Sequence, residues 1–229
     1  MSVLDRLAGG LIVSVQARPG SPLDDPGILS AMALAAQENG AAGVRIQGAA
    51  NLRAVRARVT IPIVGLVKRE YDGFEPYITP TLREVREILE CGAEIVAFDA
   101  TARPRPEGVT LPSLIAAIRR DGALAMADCA RAADGVAAVA AGADIVATTL
   151  CGYTKETADA VLPALDLVRE LRGLESFVVC EGGIHSPDAA RSARTAGADA
   201  LVVGTAITDT GWLVRQFVSS LAPQTSWPP

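Results

Sequence analysis

One phrase returns four times along the chain and constrains it more than any other feature. It reads Gly40-AAGVRIQ, Gly92-AEIVAFD, Gly142-ADIVATT and Gly197-ADALVVG, at spacings of 52, 50 and 55 residues. Each copy is a glycine suited to end a helix, followed at once by an apolar run of buried-strand character. A second set of apolar runs falls between the copies: Leu11-IVSVQ, Ile61-PIVGLVK, Gly122-ALAMAD and Ser176-FVVCE. The two sets together predict eight strands, spaced about 25 residues apart.

The segments between the strands are rich in Ala, Leu, Arg and Glu and predict helices over 28–39, 82–91, 111–121, 134–141, 157–172 and 187–196. Thr79-Pro80, Leu111-Pro112 and Ser186-Pro187 place proline in or near a first turn. Strands alternating with helices imply a parallel sheet, and a doubled unit repeated four times favours closure into a (β/α)8 TIM barrel. An open doubly wound sheet shares the alternation, but no GxGxxG follows the first strand. The 229 residues suit one barrel, expected over residues 1–221, with a Pro-rich and loosely ordered tail over 222–229.

A net charge of −5 and a pI near 5.0, without a basic run, exclude a nucleic-acid groove. The apolar patch Leu11 to Val15 is too short for a membrane span or a signal sequence, so the reading is a cytoplasmic protein with no membrane partner. Cys91, Cys129, Cys151 and Cys180 are far apart and read as buried free thiols. With His185 as the single histidine, no metal site is expected. The sequence does not fix an oligomeric state and leaves room for a homodimer.

In this fold chemistry sits where the strands end. The odd-numbered strands run out at Gln16, Lys68, Asp128 and Glu181, and the even ones carry Arg45, Asp99, Thr149 and Gly204. From each leading glycine, Arg45 is five positions on, while Asp99, Thr149 and Gly204 are seven on. Odd offsets share one strand face, so all four point the same way, and if that face is the interior they converge with the odd-strand set. Buried charges cost roughly several kcal/mol each unless paired, which makes such a convergence poor core filler and a natural pocket. Plainer roles remain open: Lys68 as a solvated lysine in Lys68-Arg69-Glu70, Arg45 and Asp128 as a structural ion pair, Asp99 as a loop cap, and His185 as a loop residue before Ser186-Pro187. Two glycine turns, Glu181-GGIHSP and Val203-GTAIT, follow strands seven and eight, where barrels often hold phosphate.

The motifs Leu11-IVSVQA, Gly43-VRIQG, Pro62-IVGLVKREY, Ile78-TPT, Phe98-DAT, Met126-AD, Asp144-IVATTLCGYT, Cys180-EGGIHSP and Val203-GTAIT jointly resemble the N-acetylmannosamine-6-phosphate 2-epimerases. The resemblance covers roughly residues 8 to 217. It implies interconversion of N-acetylmannosamine 6-phosphate and N-acetylglucosamine 6-phosphate in sialic-acid catabolism, with no metal, no nicotinamide and hence no cofactor. It places the essential lysine at Lys68 and the essential glutamate at Glu181, with sugar contacts at Gln16, Arg45 and Asp128. Thr149 and Tyr153 of the TTLCGYT phrase join these as candidate substrate contacts. Gly182, Gly183, Gly204 and Thr205 become the candidate phosphate contacts. One position departs: where the family commonly carries an arginine after the AIT segment, this chain has Asp209. Aspartate repels phosphate where arginine grips it, so either another cation such as Arg69 or Arg215 substitutes or the phosphate specificity is weakened.

The chemistry so implied removes the proton on C2, next to the aldehyde of the open-chain sugar. Neutral Lys68 takes it and Glu181 delivers one from the opposite face. A Schiff-base aldolase using Lys68 and a non-catalytic sugar-phosphate-binding protein are the rival readings.

Overall fold

The computed structural model describes residues 1–221. Eight parallel strands, each paired to the next in sequence, close into a barrel: β1 (Leu11–Val15), β2 (Gly43–Gln47), β3 (Ile63–Leu66), β4 (Ile95–Asp99), β5 (Leu124–Asp128), β6 (Ile145–Ala147), β7 (Phe177–Glu181) and β8 (Ala200–Val203). The seam runs between β8 and β1, with Leu11 opposite Leu201 and Val13 opposite Val203. The expected (β/α)8 TIM barrel is therefore the observed fold. The tail over 222–229 lies outside the described residues.

Strand alternation sorts the apolar residues into two cores. Ile12, Val64, Leu66, Ile95, Ala97, Met126, Ile145, Ala147, Val179, Ala200 and Val202 fill the barrel interior. Their neighbours, among them Val13, Val44, Val96, Val146 and Leu201, pack outward against the helices. The helices in that outer layer are α2 (Pro26–Glu38), α3 (Ala49–Arg56), α4 (Leu82–Leu89), α5 (Leu111–Arg120), α6 (Ala132–Ala140), α7 (Leu165–Arg172) and α8 (Pro187–Thr195). A short α1 (Val3–Leu7) closes the N-terminal end of the barrel with Leu7, and α9 (Thr205–Thr208) and α10 (Thr210–Leu221) follow the last strand.

The fourfold phrase has a physical cause at the barrel's N-terminal face. Its leading glycines all take left-handed φ, from +75° at Gly92 to +112° at Gly197, a backbone that ends a helix without a Cβ penalty. In the last three copies the third residue is acidic, and its carboxylate accepts the backbone N–H of the neighbouring strand. Glu94 accepts from Ile63 at 3.0 Å, Asp144 from Ala125 at 2.9 Å and Asp199 from Val178 at 2.8 Å. Each is also paired with an arginine of the helix that leads into that neighbouring strand: Arg56 at 2.8 Å, Arg119 at 3.6 Å and Arg172 at 2.9 Å. The phrase thus stitches helix end, strand start and neighbouring strand together.

Five of the six expected helices stand where the sequence puts them, within a few residues at the ends. The sixth differs: the helix expected over 157–172 begins only at Leu165, preceded by a single 3-10 turn at Lys155–Thr157. Pro163 is the reason, because it has no N–H to donate and disfavours helical backbone at the residue before it. The sequence reading missed α3, whose eight residues bury only Leu52 and Val55.

Candidate active site

The interior phase of every strand, carried one step beyond the apolar layers, arrives at a polar residue. On β2, Val64 of β3 stands opposite Arg45, and on β4 and β5 Asp99 stands opposite Asp128. Gln16, Lys68, Thr149, Glu181 and Gly204 lie two residues beyond interior positions of their own strands. The mouth of the barrel is built from these seven polar side chains and the bare backbone of Gly204, as the offset count anticipates.

Four of them form one network. The Arg45 guanidinium is 1 % exposed and grips Asp128 bidentately, with Nη1 donating to Oδ1 at 3.2 Å and Nη2 to Oδ2 at 2.6 Å. Its Nη1 also lies 3.3 Å from Oε2 of Glu181. Thr149 Oγ1 lies 2.7 Å from Asp128 Oδ1 and 3.0 Å from Glu181 Oε2. The structural ion pair between Arg45 and Asp128 is thus real, and it is also part of the site.

Charge balance decides the protonation of this network. Burial alone would favour discharging Arg45, but the carboxylates of Asp128 and Glu181 outweigh it and hold the positive charge. One guanidinium already matched to Asp128 leaves Glu181 the surplus anion, with its side chain 15 % exposed. Burial raises the Glu181 carboxyl pKa; Arg45 opposes the rise and Asp128 adds to it. The Thr149 hydroxyl reaches both carboxyls and, like the Lys68 cation, opposes the rise that burial imposes on Glu181.

Lys68 stands across the mouth, its backbone bridged to Ile78 and its side chain open to water. The surrounding protein lowers its pKa first, and the Arg45 cation lowers it further against the opposing pull of Glu181 and Asp128. A lysine shifted down and a glutamate shifted up at one barrel mouth are candidates for a base and an acid.

Other expected residues stand apart from this network. Gln16 donates to Ser14 Oγ at 2.8 Å. Tyr153 is 60 % exposed at the rim, its ring 3.6 Å from where a Cβ on Gly182 would be. Asp99 caps its own loop, accepting from Thr101 N–H at 2.9 Å and from Arg103 at 2.7 Å. His185 stacks on Trp212 with ring centroids 4.9 Å apart.

The glycine turns are bound by close approach. Gly182 and Gly183 have φ of +102° and +71°, and a Cβ on Gly183 would lie 2.4 Å from that of Leu162. Gly204 precedes α9, and a Cβ there would sit 3.1 Å from the Ser14 Cβ, so the β8 turn rests on β1. Thr205 is exposed at the start of α9, where the first N–H groups of a helix have no intrahelical partner.

The expected cation at this rim needs correcting. Arg69 is held by Glu84 and by Glu87, at 3.1 Å from the latter, and does not serve the glycine turns. Asp209 accepts the Trp212 N–H at 2.8 Å at the start of α10 and pairs with Arg18 at 3.0 Å. Arg18, two residues past Gln16, is a rim cation the sequence reading missed. It missed Tyr77 as well, which packs on the interior core at the mouth; its place directly before the ITPT motif was the available signal. Among the described residues no three His, Cys, Asp or Glu side chains are grouped to hold a metal ion, and no helix is long and apolar enough to cross a membrane.

Comparison with known proteins identifies the family. The NanE family profile, described as "Putative N-acetylmannosamine-6-phosphate epimerase", matches residues 29–222. The chain is 46% identical over 228 residues to the bifunctional enzyme NanE/NanK of Brucella melitensis, covering 98% of this chain and 43% of that protein. It therefore spans less than half the length of that relative. It is 47% identical over 214 residues to a Salmonella arizonae protein described as an N-acetylmannosamine-6-phosphate 2-epimerase of the same kind, covering 91% and 92% of the two chains. The solved N-acetylmannosamine-6-phosphate 2-epimerase of Clostridium perfringens superimposes with a TM-score of 0.93 at 39% identity, over 96% of this chain and 97% of that one. With its barrel, its strand-end network and these matches together, the chain belongs to the NanE family of N-acetylmannosamine-6-phosphate epimerases.

Proposed function

We propose that this barrel interconverts N-acetylmannosamine 6-phosphate and N-acetylglucosamine 6-phosphate by proton transfer at C2. The observation that carries the reading is the surplus carboxyl of Glu181, half-buried in a network with one guanidinium for two carboxylates, opposite a lysine whose pKa is lowered. A two-base epimerisation needs the two pKa values moved in those directions. In the open-chain sugar, neutral Lys68 takes the C2 proton and the electron pair moves onto the C1 oxygen. Glu181 then gives its proton to the opposite face of C2, so one C–H bond breaks, one forms, and the aldehyde is restored. Asp128, Arg45, Thr149 and Gln16 orient the sugar, and Tyr153 covers it from the rim.

The phosphate in this reading meets Gly182, Gly183, Gly204 and Thr205, with Arg18 as the counter-charge in place of Arg69, which Glu84 and Glu87 hold; the Arg215 charge acts on the same Asp209. Asp209 neutralises and aims Arg18, so the aspartate acts as a support for a cation instead of a gap in the site. No cofactor enters the scheme, and the catalytic unit is the barrel over residues 1–221. The assembly we propose is a homodimer. Val214, Phe217, Val218 and Leu221 share one face of α10 at helical spacing, and Phe217 is 72 % exposed. A cytoplasmic location fits the phosphorylated substrate.

The test follows both epimers by NMR with phosphorylated and unphosphorylated N-acetylmannosamine side by side. The reading expects conversion of the first and much weaker conversion of the second. Equal conversion would remove the phosphate from the account.

A further inference from the structure

The chain leaving β3 doubles back in a way the scheme above does not use. It runs out through Lys68 and returns so that Ile78 bridges antiparallel to Lys68. Backbone bonds fix the return on both sides. Arg69 N–H donates to the Tyr77 carbonyl at 2.9 Å, Thr79 N–H to Val67 at 2.8 Å, and Asp99 N–H to Ile78 at 3.0 Å. At its end Thr79 adopts φ +45°. Left-handed backbone is a true outlier for a β-branched residue. The strain persists because the fully buried Thr79 hydroxyl donates to Ala97 at 2.7 Å and accepts from Val67 N–H at 3.3 Å. Strain held this firmly is a mark of functional geometry.

What the strained return delivers is Tyr77, whose ring lies on the interior core beneath the mouth. Its hydroxyl is not among the groups that close the Arg45–Asp128–Thr149–Glu181 network. The proposed reaction, on which this inference rests, places negative charge on the C1 oxygen, and a donor must meet it. The other donors that reach the mouth are mostly engaged. The two terminal nitrogens of Arg45 are bidentate to Asp128, its Nε is buried without a partner, and Arg103 is bound to Asp99 and Glu75. The Gln16 amide is turned to Ser14, the Thr149 proton lies between two carboxyls, and Lys68 and Glu181 are occupied with C2.

We propose that Tyr77 is a further catalytic residue, whose hydroxyl donates a hydrogen bond to the C1 oxygen as the C2 proton leaves. Burial, then the carboxylates of Asp128 and Asp99, push the phenol pKa up, so it stays a donor throughout the neutral range. Removing a single oxyanion donor costs roughly 100- to 1,000-fold in kcat in other enzymes.

The experiment is Tyr77→Phe, which deletes the hydroxyl and keeps the ring. C2 deuterium exchange and epimerisation of N-acetylmannosamine 6-phosphate are measured by NMR in heavy water, alongside thermal melts. The expected result is a kcat lower by about 100-fold, KM within about threefold, and an unchanged melting temperature. Exchange and kcat within twofold of the wild type would overturn the role of Tyr77 alone. A wild-type protein that exchanges no C2 proton would overturn this inference together with the proposed function beneath it.

Discussion

Glu181 and Lys68 carry opposite demands on one pH scale. The proposed reaction needs Lys68 neutral and Glu181 protonated, and both groups are shifted that way: the lysine down, chiefly by burial, and the glutamate up, also chiefly by burial. Raising pH deprotonates Lys68, which helps, and strips Glu181, which hurts. The kcat/KM profile should therefore be bell-shaped, with both limbs inside the interval between ordinary carboxylate and ordinary lysine values, and the two apparent values belong to the pair. A profile flat across that interval would contradict the assignment. Thr149 tests the protonation argument separately. Thr149→Val keeps the shape and removes the bridge to Asp128 and Glu181, so it should lower kcat and move the limbs, where a purely structural threonine would leave them in place. Arg18→Ala should raise KM for the phosphorylated sugar by about tenfold or more, as loss of a charge-assisted contact of roughly 1.5–3 kcal/mol implies, and leave the unphosphorylated sugar unaffected. An unchanged KM for both sugars would return the phosphate to the glycine turns alone.

At the scale of elements, the repeat separates stability from chemistry. The acidic third residue of the phrase works at the N-terminal face, away from the strand-end network. Asp199→Asn weakens both the bond to Val178 N–H and the pair with Arg172, so it should lower the melting temperature by a few degrees with kcat unchanged. Lost activity at full stability would break that division of faces. Legibility in the sequence follows the same division. Strand phase was readable because period two is rigid: the offsets of Arg45, Asp99, Thr149 and Gly204 from their glycines fix one face, and closure of the barrel turns that face inward. The helix over 157–172 was misread because its charge and apolar content outweighed Pro163, and α3 was missed because eight residues burying two side chains leave little periodic signal. Pairings across sequence were out of reach. Nothing in the order of residues says that Asp209 meets Arg18, or that Arg69 is taken by Glu84 and Glu87, because each depends on how loops from different strands meet.

For the whole molecule, the four exposed apolar residues on α10 predict association. Light scattering on the purified chain should give twice the monomer mass, and Phe217→Glu should return it to one; a monomer in both cases would end the dimer proposal. The barrel itself was legible from the fourfold repeat, and the family from motifs that lie at its strand ends. What the folded chain adds is how they combine: one buried arginine shared by two carboxyls, a threonine between them, and a lysine opposite. The most direct measurement of the central claim is proton NMR of N-acetylmannosamine 6-phosphate with the wild-type protein in heavy water. The account predicts that N-acetylglucosamine 6-phosphate accumulates with deuterium at C2, and no conversion, or a product that keeps its original C2 proton, would contradict it.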